Sequence, residues 1–96
     1  MPTYVILYTF TEQGRKNIKG TVQRAEAIQR ENESRGFKVH GYYWTQGRFD
    51  LVTVVEAPTE EAMMAGLFSI AGAGNVISET MRAFTAEDMG RIISQT

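Results

Sequence analysis

The order of apolar runs along these 96 residues predicts an α+β domain with the element order β-α-β-β-α-β-α. Three observations carry that prediction. Tyr4 to Phe10 is β-branched or aromatic at nearly every position, the pattern of a central strand covered on both faces. Two further runs, Phe37 to Tyr43 or Trp44 and Phe49 to Val55, are joined by Thr45-Gln46-Gly47-Arg48, a short glycine-containing link that marks a hairpin. Thr21, Thr59 and Thr85 each stand where a helix N-cap belongs, ahead of segments with helical spacing or an acidic first turn. The first six elements match the ferredoxin-like βαββαβ arrangement, a four-stranded antiparallel sheet with two helices on one face, here followed by a C-terminal helix.

Thr11 to Gly20, polar and carrying two glycines, reads as a loop with one helical turn. Thr21 to about Ser34 is a helix whose Ile18, Val22, Ala25 and Ile28 form a narrow apolar stripe. Arg35-Gly36 ends it, the glycine being suited to the left-handed C-cap, and Gly47 is placed to take positive φ in the hairpin. Ala57-Pro58-Thr59 stops the sheet and starts a second long helix, with Glu60 and Glu61 in its favoured first turn. That helix carries Ala62, Met63, Ala65, Leu67, Phe68 and Ile70, and Gly72 to Asn75 terminates it. Val76 to Phe84 is the fourth strand, and Thr85-Ala86-Glu87-Asp88 opens the last helix.

A chain of this length supports one core, so residues 1–96 form a single domain. Ten basic residues against eleven acidic ones leave a net charge of −1, with no surplus for phosphate contacts, and no nucleic-acid partner is expected. Arg15, Lys16, Lys19 and Arg24 cluster mildly, but Glu26, Glu31 and Glu33 follow, so the cluster reads as a solvated helix face. The absence of cysteine excludes disulfides, thiol chemistry and cysteine-ligated metals. A single histidine excludes histidine-cluster metal sites, and nothing in the spacing calls for a cofactor. No signal peptide and no membrane span is visible, which makes a cytoplasmic location and no membrane partner the expectation.

The sheet poses a problem that the sequence has to solve. Two helices cover one face, yet Tyr4, Ile6 and Tyr8 oppose Val5 and Leu7, and Leu51 and Val55 oppose Val52 and Val54. Both faces are too apolar to meet water. Packing of the open faces in a two-fold homodimer is the economical cover.

Gly47-Arg48-Phe49-Asp50 and the following Leu51-Val52-Thr53-Val54-Val55-Glu56-Ala57-Pro58 resemble the GYD-domain family. So do the opening strand with Thr11-Glu12-Gln13-Gly14 and Asn17-Ile18-Lys19, and the closing Gly74-Asn75-Val76 with Glu79-Thr80-Met81-Arg82-Ala83-Phe84-Thr85. The resemblance spans nearly the whole chain. The tyrosine that helps name that family is Phe49 here, so any role of its hydroxyl is lacking. The resemblance implies a dimeric α/β barrel and leaves the activity open, because fold analogy alone does not choose a function.

Six residues are candidates for a ligand site. Arg48 and Asp50 form a charged rim to a pocket, or else Asp50 braces backbone amides of the turn or of the Gly72 to Asn75 loop. His40, with Lys38, Tyr42 and Trp44 expected on its strand face, is a surface or interface histidine or a ligand contact. Glu79, midway along a strand, stands on a solvated edge or faces a polar cavity. Leu67, with Met63 and Phe68, would supply adaptable walls, and His40, Trp44 and Glu79 would orient a bound molecule if their faces point inward. The leading functional reading is a homodimer that binds a small apolar or aromatic metabolite between sheet and helices. A cofactor-free monooxygenase- or isomerase-like enzyme and a purely structural assembly protein are the alternatives, so whether the chain is an enzyme stays open.

Overall fold

A computed structural model describes all 96 residues. The elements follow the expected order: β1 (Thr3–Phe10), α1 (Glu12–Lys16), a 3₁₀ turn (Ile18–Gly20), α2 (Thr21–Ser34), β2 (Lys38–Trp44), β3 (Leu51–Glu56), α3 (Glu60–Gly72), β4 (Val76–Ala83) and α4 (Ala86–Ile93). The four strands form one antiparallel sheet in the order β2-β3-β1-β4, which places the doubly apolar β1 at its centre. This is the ferredoxin-like arrangement. No helix is long and apolar enough to cross a membrane.

Register decides which side chains share a face. Tyr4, Ile6 and Tyr8 stand opposite Val55, Thr53 and Leu51, and all of them point toward α2 and α3. The buried core lies there: Tyr4, Ile6, Tyr8, Leu51 and Val55 pack with Phe37, Ala57 and Met63. Full burial of one such large side chain contributes about 1.5–3 kcal/mol. The other face carries Val5, Leu7, Val52 and Val54, half-buried, beside Tyr43 at 65% and Ile77 at 66% exposure.

β2 breaks the alternation. Val39 pairs with Val55 and Gly41 with Val54, so His40 is an extra residue at a bulge. Alternation restarts one residue later, and Tyr42 and Trp44 turn to the helix side while His40 turns away. The expectation that His40 shares a face with Tyr42 and Trp44 is corrected on that ground.

Caps follow the sequence at Thr59 and Thr85, whose side chains accept from the amides of Ala62 and Asp88. Thr85 and Asp88 complete a reciprocal capping box, and Arg91 lies 2.6 Å from the Asp88 carboxylate. The amide of Thr85, with the Arg91 guanidinium, holds the Asp88 carboxyl down to a pKa of about 2. Thr21 is not a cap: Gly20 holds that position, and the Thr21 hydroxyl instead accepts from the Trp44 indole at 3.1 Å. Gly36 and Gly47 take the left-handed conformation expected of them, with φ of 91° and 101°. The segment expected as a loop is more regular than that, with α1 capped by Thr11 and packed onto the start of β4. Thr11 Oγ1 donates to the Gly74 carbonyl at 2.6 Å, and the Thr11 amide donates to that of Asn75 at 3.0 Å.

Candidate functional site

A narrow stripe on one helix and small residues on the other leave space above the sheet. α2 brings only Ala25, Ala27 and Ile28 as apolar groups to this side, among Arg24, Gln29 and Asn32, and α3 brings Gly66 and Ser69 beside Ile70. Between them lies a cleft of about 380 Å³. Ile6, Tyr8, Tyr42, Leu51, Thr53 and Val55 form its sheet side. Phe10, Asn75 and Val76 line the end where β1 finishes and α2 begins, and Phe37 and Met63 line the other.

Few polar groups reach into this apolar space, and two of them are unsatisfied. Arg24 Nη1 donates to the Asn17 carbonyl at 2.7 Å, while Arg24 Nη2 is buried with no partner. The Thr53 hydroxyl is buried without a partner of ordinary geometry, although it lies beside the Tyr8 phenol. Burial raises the Tyr8 pKa, and the neighbouring hydroxyl offsets this by less, so the phenol stays protonated as a potential donor. Arg35 and Glu31, the other charged residues of the lining, pair with each other at 2.5 Å. Two arginines against one glutamate leave a net +1, and that charge is Arg24.

The candidates named from sequence do not converge on this space. Trp44 stands at its margin, on the helix side of the sheet, bonded to Thr21, which does line the cleft, and edge-on to Tyr42 at 5.7 Å. His40 is on the opposite sheet face, 2.6 Å from the Glu56 carboxylate. Glu79, paired with Leu7, is exposed on that same opposite face. Neither is in position to orient a molecule held under the helices. Leu67 lines a separate hollow of about 370 Å³ with Tyr4, Met63, Met64, Thr80 and Arg82, and Phe68 is 70% exposed. Arg48 is exposed in the hairpin, 5.4 Å from the Phe49 ring. Asp50 is a brace, but on a different element from those expected: its Oδ2 accepts the Phe10 amide at 2.8 Å, while its own amide donates to the Tyr8 carbonyl.

Arg24 and Thr53 were missed as site residues. Arg24 has charged neighbours, which made a solvated face the natural reading. Its position four residues before Ile28, on the flank of the apolar stripe, is the one signal that it turns inward. The aromatic residues near the cleft divide between core and margin, with Tyr8 in the core and Tyr43 on the open face.

Known proteins share both the sequence and the shape. A Thermus thermophilus protein described as a glutamine synthetase and cystathionine beta-lyase binding protein is 29% identical over 90 residues, covering 93% of this chain and 95% of that protein. Two solved structures superpose on it. FFRP-DM1 does so with a TM-score of 0.63 at 21% identity, over 88% of this chain and all of that one. MtbAldR does so with a TM-score of 0.68 at 18% identity, over 88% of this chain and 53% of that one. At those identities the likeness speaks for the fold alone. The GYD domain matches residues 4–93, almost the full length, and the chain belongs to the GYD domain family.

Proposed function

We propose that this protein is a homodimeric binding module that holds one small, largely apolar molecule per protomer in the cleft between α2, α3 and the sheet. The observation that carries this reading is the cleft itself: about 380 Å³, within the size range of small-molecule sites, apolar in most of its lining and supplied with a few inward polar groups. Dimerisation rests on the open sheet face, where Val5, Leu7, Val52, Val54, Ile77 and Met81 supply apolar surface around the single carboxylate of Glu79 on strands that pair with one another.

The neutral fluorophore N-phenyl-1-naphthylamine tests the cleft. It should bind at one per protomer, and Ala25→Trp, which fills the space from α2, should abolish binding while leaving the sedimentation coefficient unchanged. Undiminished binding in that variant removes the cleft as the site. Leu7→Glu places a charge on the open face and should yield a monomer or an unfolded chain. A Leu7→Glu protein that remains a folded dimer would rule out the open face as the interface.

A second reading, docking onto a metabolic enzyme, is favoured by the description of the Thermus relative as an enzyme-binding protein. Co-sedimentation with purified glutamine synthetase tests it directly, and the two readings are compatible if the ligand controls the docking.

A further inference from the structure

We infer that the cleft selects an anion: a small monocarboxylate with an apolar aromatic or branched body, its carboxylate paired with Arg24 and its body lying over the sheet toward Phe37 and Met63. This inference rests on the cleft being a ligand site and adds the chemical class of the ligand.

The argument begins with the position of the charge. A guanidinium stays protonated at any physiological pH, and one of its N–H groups buried without an acceptor is costly. Arg24 has only one acceptor within reach, the Asn17 carbonyl, and that oxygen serves Nη1. Nη2 is shut off from solvent by its surroundings and has no acceptor. A water can fill one such hydrogen bond but does not neutralise the charge, whereas a carboxylate does both.

The rest of the lining narrows the choice. No acidic side chain competes, because the only one in the cleft, Glu31, is already engaged by Arg35. A cationic ligand would therefore meet repulsion with no compensation. A phosphate would bring about two charges to a single free arginine amid apolar walls, which makes a monoanion the better match. From Arg24, at the start of α2, the apolar body can run past Tyr8 and Thr53, whose hydroxyls can serve a second polar atom of the ligand. Beyond them Val55, Phe37 and Met63 offer only carbon and sulfur.

Isothermal titration with three isosteric probes provides the test: 2-naphthoate, 2-naphthalenemethanol and 2-naphthylmethylammonium. Wild-type protein should prefer the carboxylate over the alcohol by roughly ten- to hundredfold, the factor for a hydrogen bond to a charged group. The ammonium should bind more weakly than either. Arg24→Met should erase the preference and leave alcohol binding intact, while Arg30→Met, exposed on the same helix and outside the cleft, should keep it. Equal affinity for carboxylate and alcohol in the wild type, with both blocked by Ala25→Trp, overturns the anion inference and leaves the cleft reading standing. If none of the three probes binds, both fall. The wild-type comparison needs no variant, so a failure of Arg24→Met to fold does not protect the inference.

Discussion

Gly14→Ala sets two physical effects of opposite sign against each other. Gly14 lies in α1, and alanine in place of glycine inside a helix ordinarily stabilises by about 0.5–1 kcal/mol. Here a Cβ would stand 2.0 Å from the Asn75 carbonyl oxygen and 3.0 Å from its carbon. The obstacle is backbone, so no rotamer change relieves it. That same oxygen accepts the Thr11 amide at 3.0 Å, the bond that ties the end of β1 to the start of β4. Overpacking costs about 1–3 kcal/mol, and losing the hydrogen bond adds about 0.5–1.5 kcal/mol. Against the helix-propensity gain, the net destabilisation is about 0.5–4 kcal/mol. For a domain of this size that lowers Tm by roughly 2–30 °C. Thermal melts followed by circular dichroism measure it, at fixed protein concentration so that the proposed dimerisation contributes equally to each variant. Gly90→Ala in α4 is the control: no atom lies within 4 Å of its Cβ, so only the propensity gain remains. A Gly14→Ala protein melting at or above wild type would show that α1 does not rest on Asn75 as described.

Two further outcomes test the braces around the site. Asp50→Ala should cost about 1.5–3 kcal/mol, since its carboxylate serves the Phe10 amide. Hydrogen exchange at Phe10 should accelerate with it, and an unchanged exchange rate would remove the brace and return Asp50 to the list of ligand contacts. Asp88 bears on pH. Its carboxyl is held at about 2 against an ordinary value of 3.8, so the folded state favours the ionised form. The stability this supplies to α4 is complete above 3.8 and disappears as pH falls through about 2. The side-chain carbon shift of Asp88 should titrate with a midpoint near 2, and Thr85→Ala should move it upward; a midpoint near 4 in the wild type would mean that the capping box does not form in solution.

What the sequence made legible was local. Caps at Thr59 and Thr85, the left-handed glycines at 36 and 47, and β1 as the central strand all follow from a few adjacent residues whose preferences the tertiary structure leaves in force. What failed depended on phase. His40 was assigned to the wrong face because a single inserted residue reverses alternation, and the only local hint was the glycine that follows it. Glu79 takes the solvated edge, one of the two places expected for it, and choosing between them needed the β1–β4 register, which no stretch of β4 specifies by itself. α3 is apolar nearly all round, so nothing in it distinguishes the Met63–Leu67 side, over the second hollow, from the Gly66–Ile70 side that faces the cleft.

The cleft was hard to foresee for a related reason. Clusters of chemistry-bearing or bulky residues mark a site in a sequence, yet this space exists because bulk is missing: Ala25 on one helix, Gly66 and Ser69 on the other. A sheet face as apolar as Ile6, Leu51 and Val55 would be expected to meet large side chains from the helices above it. A narrow apolar stripe on α2 and a run of small residues on α3 are therefore informative together, although each is ordinary alone. Taken with an arginine on the flank of that stripe, they place an uncompensated positive charge at the edge of an unfilled apolar volume. The volume carries the binding proposal, and the charge beside it carries the preference for an anion.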